Sequence, residues 1–238
     1  MYEERFYRRW TKPEDLVNFE VIIEETDLLI SADKDLQDKA SESAQKYRKE
    51  LKDYIQDHPL FQTSLAPVKV DKNAPELIRE MADAAKKAHV GPMAAVAGAI
   101  AEFVGKDLLS YSRQVIIENG GDIFIKSDRD RTIGIYAGNS PLSGKIFLKI
   151  KPKNKNVGVC TSSGTVGHSL SFGKADAAVI ISESASLADA VATATGNLVK
   201  TEADVEKAVN FAKNIRGVAG VLVIINEKMG AWGDIELV

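Results

Sequence analysis

The segment ENGGDIFI (118–125) and the run CTSSGTVGHSLSFGKAD (160–176) concentrate residue types that can lie directly against a ligand. Asn119, Gly120 and Gly121 make a turn whose missing side chains expose backbone N–H groups, able to hold an anion or a carbonyl oxygen. Two glycines between apolar strands equally suit a tight hairpin. The second run sets Gly164, Gly167 and Gly173 among the hydroxyls of Thr161, Ser162, Ser163, Thr165, Ser169 and Ser171. Small donors and bare backbone suit phosphate or carbonyl binding, with His168 as a general acid or base. The alternative for His168 is a hydrogen-bonded loop histidine. Cys160 has two readings as well: a small core residue, or a thiol stabilised by loop N–H donors for sulfur chemistry.

Downstream, SLADAVATATGN (186–197) opens a helix. Ser186 followed three residues later by Asp189 matches a capping box. Thr193 lies one turn further along the same face. A carboxylate and a hydroxyl stacked there also suit Mg²⁺ or Ca²⁺, which seek oxygen ligands. His58 and His89 stand apart from any Cys/His cluster, which argues against zinc. The expectation is that the 119–121 turn, the 161–168 loop and the face bearing Asp189 and Thr193 converge on one site for a small anionic ligand.

These residues need a scaffold, and the pattern supplies one. NFEVIIEE (18–25) and LLIS (28–31) read as a hairpin. Leu36, Ala40, Ala44, Tyr47, Leu51 and Ile55 then recur at helical steps from Asp33 to about Asp57, stopped by Pro59. The stretch 58–73 reads as a loop. A helix from Pro75 to about Ala88 is followed, after Gly91, by one opening at Pro92 that is small or apolar on nearly every side. Strands are expected at 113–118, 122–126, 132–137, 145–151, 156–160, 176–182 and 220–226, with a short last one near DIELV. Helices are expected at 186 to about 199 and at 202–214. Clustered strands with grouped helices predict an α+β fold over 1–238 as one domain, rather than a doubly wound parallel sheet.

Composition narrows the function classes. The 238 residues carry a formal net charge of −3, which argues against a nucleic-acid surface. Arg5, Arg8 and Arg9 interleave with Phe6, Tyr7 and Trp10 and read as an amphipathic first strand. No apolar run is long enough to span a bilayer, and no signal peptide is expected. A single cysteine excludes an internal disulfide and fits a reducing cytoplasm.

VGPMAAVAGAIAEFVG (90–105), ENGGDIFI and TSSGTVGHSLSFGKADAAVI (161–180) together resemble an uncharacterised (UPF) family of the ApbE-like superfamily, from about residue 75 onward. ApbE proteins are FAD:protein FMN transferases that use a divalent cation and attach FMN to a threonine of a target protein. The resemblance implies an ApbE-like fold with antiparallel-rich sheets and flanking helices. It places Asn119, Gly120 and Gly121 in the site, a Thr-Ser-Gly segment at Thr161, Ser162, Ser163 and Gly164, and an Ala-Asp-x-x-x-Thr metal signature at Ala188, Asp189 and Thr193. It implies FAD or FMN and Mg²⁺ as cofactors. The chain departs where those enzymes continue with His-x-x-Asp-Pro-x-Thr-Gly, since Ser-Leu-Ser-Phe-Gly-Lys follows His168. The family it resembles has been linked with sulfur assimilation into homocysteine in anaerobes. Three readings follow: sulfide or persulfide handling through Cys160, with a sulfur-donor protein as partner; FMN transfer; and non-catalytic ligand binding.

Overall fold

The computed structural model describes residues 8, 13–151, 155–165 and 171–238. One eight-stranded antiparallel sheet organises the molecule, in the order β1 (Val17–Ile23), β2 (Thr26–Ala32), β3 (Val115–Asn119), β4 (Asp122–Lys126), β7 (Val157–Ser162), β8 (Ala177–Ser182), β9 (Val218–Ile225), β10 (Lys228–Gly233). Strands β5 (Arg131–Gly134) and β6 (Phe147–Ile150) leave this sheet and form a separate two-stranded sheet. The fold is α+β, as the clustered strands predict.

The sheet is buried on both faces, which is why its central strands are nearly continuous apolar runs. On one face Ile30, Ile117, Phe124, Ile180 and Val223 meet the helices α1 (Gln37–Asp57), α3 (Glu76–Ala88), α4 (Val96–Leu108), α5 (Ala185–Leu198) and α6 (Val205–Lys213). On the other, Val159, Val179, Leu222 and Ile224 pack under Ile133, Leu148 and Ile150 of the β5–β6 hairpin. Alternate residues of β4 and β7 therefore serve different cores, Phe124 and Cys160 toward the helices, Ile125 and Val159 away. The small residues of α4 let it lie close to the sheet: a Cβ on Gly105 would run into the Phe124 ring.

Several boundaries differ from the sequence pattern. Pro59 stops α1 but also opens a short helix, α2 (Pro59–Thr63), because a proline suits a first helical position. The helix expected from Pro92 begins as a 3-10 turn, Pro92–Ala95, and the one from Glu202 as another, Glu202–Asp204. The last strand is KMGAWG rather than DIELV, whose backbone instead bonds back to β6 through Lys149 and Val238. The aromatic and arginine-rich N-terminus lies outside the described residues apart from Arg8. Among the described residues no single helix is long and apolar enough to cross a membrane.

Candidate functional site

The β3–β4 connection is a two-residue turn, Gly120–Gly121, with φ of 68° and 103°. Positive φ at both positions is what a type I′ hairpin requires, so both glycines have a structural reason. Asn119 and Asp122 flank the turn as a cross-strand pair. The Asn119 side chain donates to the Ala97 carbonyl at 3.1 Å, tying the turn to the start of α4. Asp122 sits opposite Cys160 on β7. A Cβ on Gly121 would come within 3.8 Å of the Thr161 carbonyl.

Helix α5 arrives over these strands, and its start differs from the sequence reading. The N-cap is Ser184, whose hydroxyl accepts from the Leu187 N–H at 3.2 Å. Ser186 is therefore already helical, and Asp189 is not the partner of a capping box. Asp189 reaches α4 instead, accepting from the Gly98 N–H at 2.9 Å, with the Ala97 N–H bearing on the same carboxylate. Glu102 of α4 returns the contact: it accepts from the Ser186 N–H at 3.1 Å and the Ser184 hydroxyl at 3.0 Å. Each helix thus supplies a carboxylate to the other's N-terminal N–H groups, where the dipole favours negative charge. Gly98 makes the close crossing possible. A Cβ there would lie 2.8 Å from Cβ of Asp189 and still nearer the Ala185 carbonyl oxygen. Gly98→Ala should therefore cost about 1–3 kcal/mol or more through overpacking, read as a lower urea midpoint at unchanged slope.

Asp122 and Asp189 form a buried acidic pair, 7% and 8% exposed. Burial raises the Asp122 pKa well above its ordinary value, and the Asp189 charge raises it further. Burial pushes Asp189 up to about 7 against the lowering effect of the α4 N–H groups. One Asp122 oxygen, Oδ1, is buried with no hydrogen-bond partner. A third carboxylate, Glu118, adds to the strain on Asp122. Gly120, Gly121 and Thr161 form an accessible rim beside this floor, Gly120 exposed and the other two half-buried; Gly164 is likewise exposed, and Ser162, Ser163 and Thr193 are half-buried. His168 lies outside the described residues. A groove of about 310 Å³ between α1 and the end of α4, lined by Lys39, Ser43, Asp107 and Tyr111, is elsewhere.

Cys160 belongs to the floor, not the rim. It is fully buried and its thiol donates to the Ala185 carbonyl at 3.3 Å. Burial, then the charge of Asp122, pushes its pKa well above the ordinary thiol value. Thiol reactivity needs the opposite shift. A thiol-disulfide reagent is expected to leave Cys160 untouched in the folded protein and to titrate one thiol only after denaturation. Stoichiometric reaction of the native protein would restore the sulfur reading.

The sequence pattern alone does not single out Asp122 or Glu102. The signal for Glu102 was there: it is the single acid in MAAVAGAIAEFVG, and a lone charge in an apolar helix asks for a partner. For Asp122 the signal was its place directly after the two glycines.

The two acids bear on whether Mg²⁺ fits. Both are hard oxygen donors, as is the Thr193 hydroxyl, and the Gly98 bond does not exhaust the lone pairs of Asp189. Among the described residues no three His, Cys, Asp or Glu side chains are grouped as a metal cage. One or two carboxylates completed by ligand phosphates is the usual way Mg²⁺ is held. The residues fit the ion in that form.

The fold is that of the ApbE flavin transferases. The apo form of the Pseudomonas stutzeri flavinyl transferase ApbE superposes with a TM-score of 0.62 at 13% identity, covering 92% of this chain and 94% of that one. The Thermotoga maritima ApbE protein gives 0.56 at 14% identity, covering 92% and 96%. Identity this low speaks for the fold alone. The family is shown by sequence: the family model described as AbpE bacteria matches residues 8–236, and the chain belongs to this ApbE-like family. Its relatives include UPF0280 proteins of Methanocaldococcus jannaschii, 46% identical over 92% of this chain and 91% of that one, and of Methanococcus vannielii, 44% identical over 93% and 92%.

Proposed function

We propose that this chain binds FAD together with Mg²⁺ and transfers the FMN half to a hydroxyl of an acceptor protein. The observation that carries the reading is the buried Asp122–Asp189 pair with its unpartnered oxygen, next to the glycine turn and the hydroxyl-bearing end of β7. Two desolvated carboxylates held side by side are unstable unless a proton or a cation sits between them. Asp189, Asp122 and the Thr193 hydroxyl are the groups that would hold Mg²⁺, whose charge offsets that of the phosphates. The hydroxyls of Thr161, Ser162 and Ser163 and the bare backbone at Gly120 are donors suited to the phosphate oxygens. In the reaction the acceptor oxygen bonds to the FMN phosphorus, the bond to AMP breaks, and AMP leaves with its electron pair. The hydroxyl proton needs a base, the role His168 has by residue type. The fully buried Cys160 gives sulfur assimilation no support, and this site does not use the thiol.

The test is a titration of FAD with Mg²⁺ and again with EDTA, followed by flavin fluorescence. Saturable, Mg²⁺-dependent binding is expected. Incubation with a threonine-bearing acceptor should then release AMP and leave flavin covalently attached. Binding without transfer to any hydroxyl acceptor would reduce the chain to a flavin-binding protein; no FAD binding at all would overturn the reading.

A further inference from the structure

The only described residue before residue 13 reaches into the site's foundations. The Arg8 guanidinium donates to Glu118 Oε2 at 2.5 Å through Nε, to Asp27 Oδ1 at 2.8 Å, and to the Asp27 carbonyl at 2.9 Å. Its side chain is 9% exposed and those of Asp27 and Glu118 are 7% and 10% exposed, so the cluster is screened little by solvent. The more exposed Glu20 stands 3.7 Å away. The other Glu118 oxygen, Oε1, accepts from the Gly121 N–H at 2.8 Å. A continuous chain of charge-assisted bonds therefore runs from Arg8 through Glu118 to the second residue of the Gly120–Gly121 turn. Glu118 is also the third carboxylate beside Asp122. Three acids lie together here, Glu118, Asp122 and Asp189, and among the described residues the buried cation paired with Glu118 comes from a position more than a hundred residues away in sequence.

We infer that Arg8 is a positioning residue for this site: by pairing with Glu118 it fixes the Gly121 N–H and keeps the charge of Glu118 directed away from the Asp122–Asp189 floor. The inference deepens the flavin-transferase reading and rests on it for the ligand, but not for the geometry. The planar guanidinium spans Glu118 and Asp27 at once, a task a point-charge ammonium cannot perform fully. Losing it would remove the bond that holds Glu118 Oε2, and with it the restraint that keeps Oε1 on the Gly121 N–H.

Amide hydrogen exchange decides the geometric part without any ligand. In Arg8→Ala the Gly121 amide should exchange faster by on the order of tenfold or more, while amides of β8 and β9 keep wild-type protection. Arg8→Lys should recover part of the protection, because charge returns without the fork. An unchanged Gly121 rate in Arg8→Ala overturns the inference, as does equal loosening throughout β8 and β9. The route through Glu118 is read in a double-mutant cycle on FAD affinity in Mg²⁺. Arg8→Ala and Glu118→Gln should each weaken binding, and the double variant should be no worse than Arg8→Ala alone. Fully additive losses overturn the route. If wild type binds no FAD, the transferase reading fails, and the exchange result still decides whether Arg8 holds the turn.

Discussion

Asp189→Asn is expected to leave the protein folded and to abolish Mg²⁺-dependent FAD binding. The amide oxygen of Asn can still accept from the Gly98 N–H, so the first turn of α4 keeps its partner. Removing one of two repelling buried carboxylates also relieves Asp122. Stability at neutral pH should therefore be unchanged or higher. What the amide cannot supply is the negative oxygen a hard cation needs. Asp189→Ala is the informative companion. It removes ion ligand and cap together, costing about 1–2 kcal/mol for the lost cap, against the same gain from relieved repulsion. Parallel fluorescence and urea titrations of wild type and both variants check this. Full Mg²⁺-dependent binding by Asp189→Asn would reduce Asp189 to a clasp on α4 and remove the basis for a cation here.

The second large effect is on the pH dependence of stability. Asp189 is pushed up to about 7 in the folded protein, against an ordinary 3.8. Between those values the unfolded chain has released its proton and the folded chain retains it. The folded state binds more protons there, so stability falls as pH rises through this window and levels off above about 7. The full shift corresponds to a loss on the order of 4 kcal/mol. Other carboxylates pull in the opposite direction: Asp33, lowered by N–H and hydroxyl donors against its own burial, and Asp15, lowered by Arg131. The quantity to measure is therefore the difference between wild type and Asp189→Asn, from urea titrations at pH 4.5 and 7.5. Wild type should lose several kcal/mol relative to the variant across that interval. Saturating Mg²⁺ with FAD at pH 7.5 should return part of it, since ligand bound only to the folded state stabilises it by mass action. Parallel curves for the two proteins would show that the pair carries no such penalty. A cost of this size in a protein whose total stability is of order 5–15 kcal/mol is more readily understood at a site than in a passive core.

Much of the scaffold was legible because it depends on local pattern. The 3.6-residue spacing from Leu36 to Ile55 gave α1, and the β-branched runs around the Gly-Gly turn gave β3 and β4 within a residue or two. What escaped depends on partners distant in sequence. KMGAWG has no strand-like alternation and becomes β10 only by pairing with β9 from Lys228↔Ile225 to Gly233↔Gly220. The strands β5 and β6 have the right pattern, but no local feature says that they leave the main sheet. Ser184 and Ser186 are equally good caps by type; Glu102, some 80 residues earlier, takes the Ser186 N–H and hydroxyl and leaves Ser184 the capping role. The rim residues were visible as composition, because glycine and hydroxyl clusters are unusual in loops. The floor was only half visible. Asp189 stood out by its spacing to Thr193, whereas Asp122 reads as an ordinary residue after a turn until β7 and α5 fold over it.

The exchange of carboxylates between α4 and α5 makes the helix crossing a gauge of whatever occupies the site. An ion that draws on Asp189 withdraws electron density from its bond to Gly98, and the first turn of α4 loses part of its acceptor. Glu102 meanwhile keeps α5 fixed against the same helix, so the response falls on the Ala97–Gly98 end and, through the Asn119 bond to the Ala97 carbonyl, on the glycine turn. Occupancy should be readable there as a local change in amide protection, with the opposite end of the crossing serving as its own internal reference.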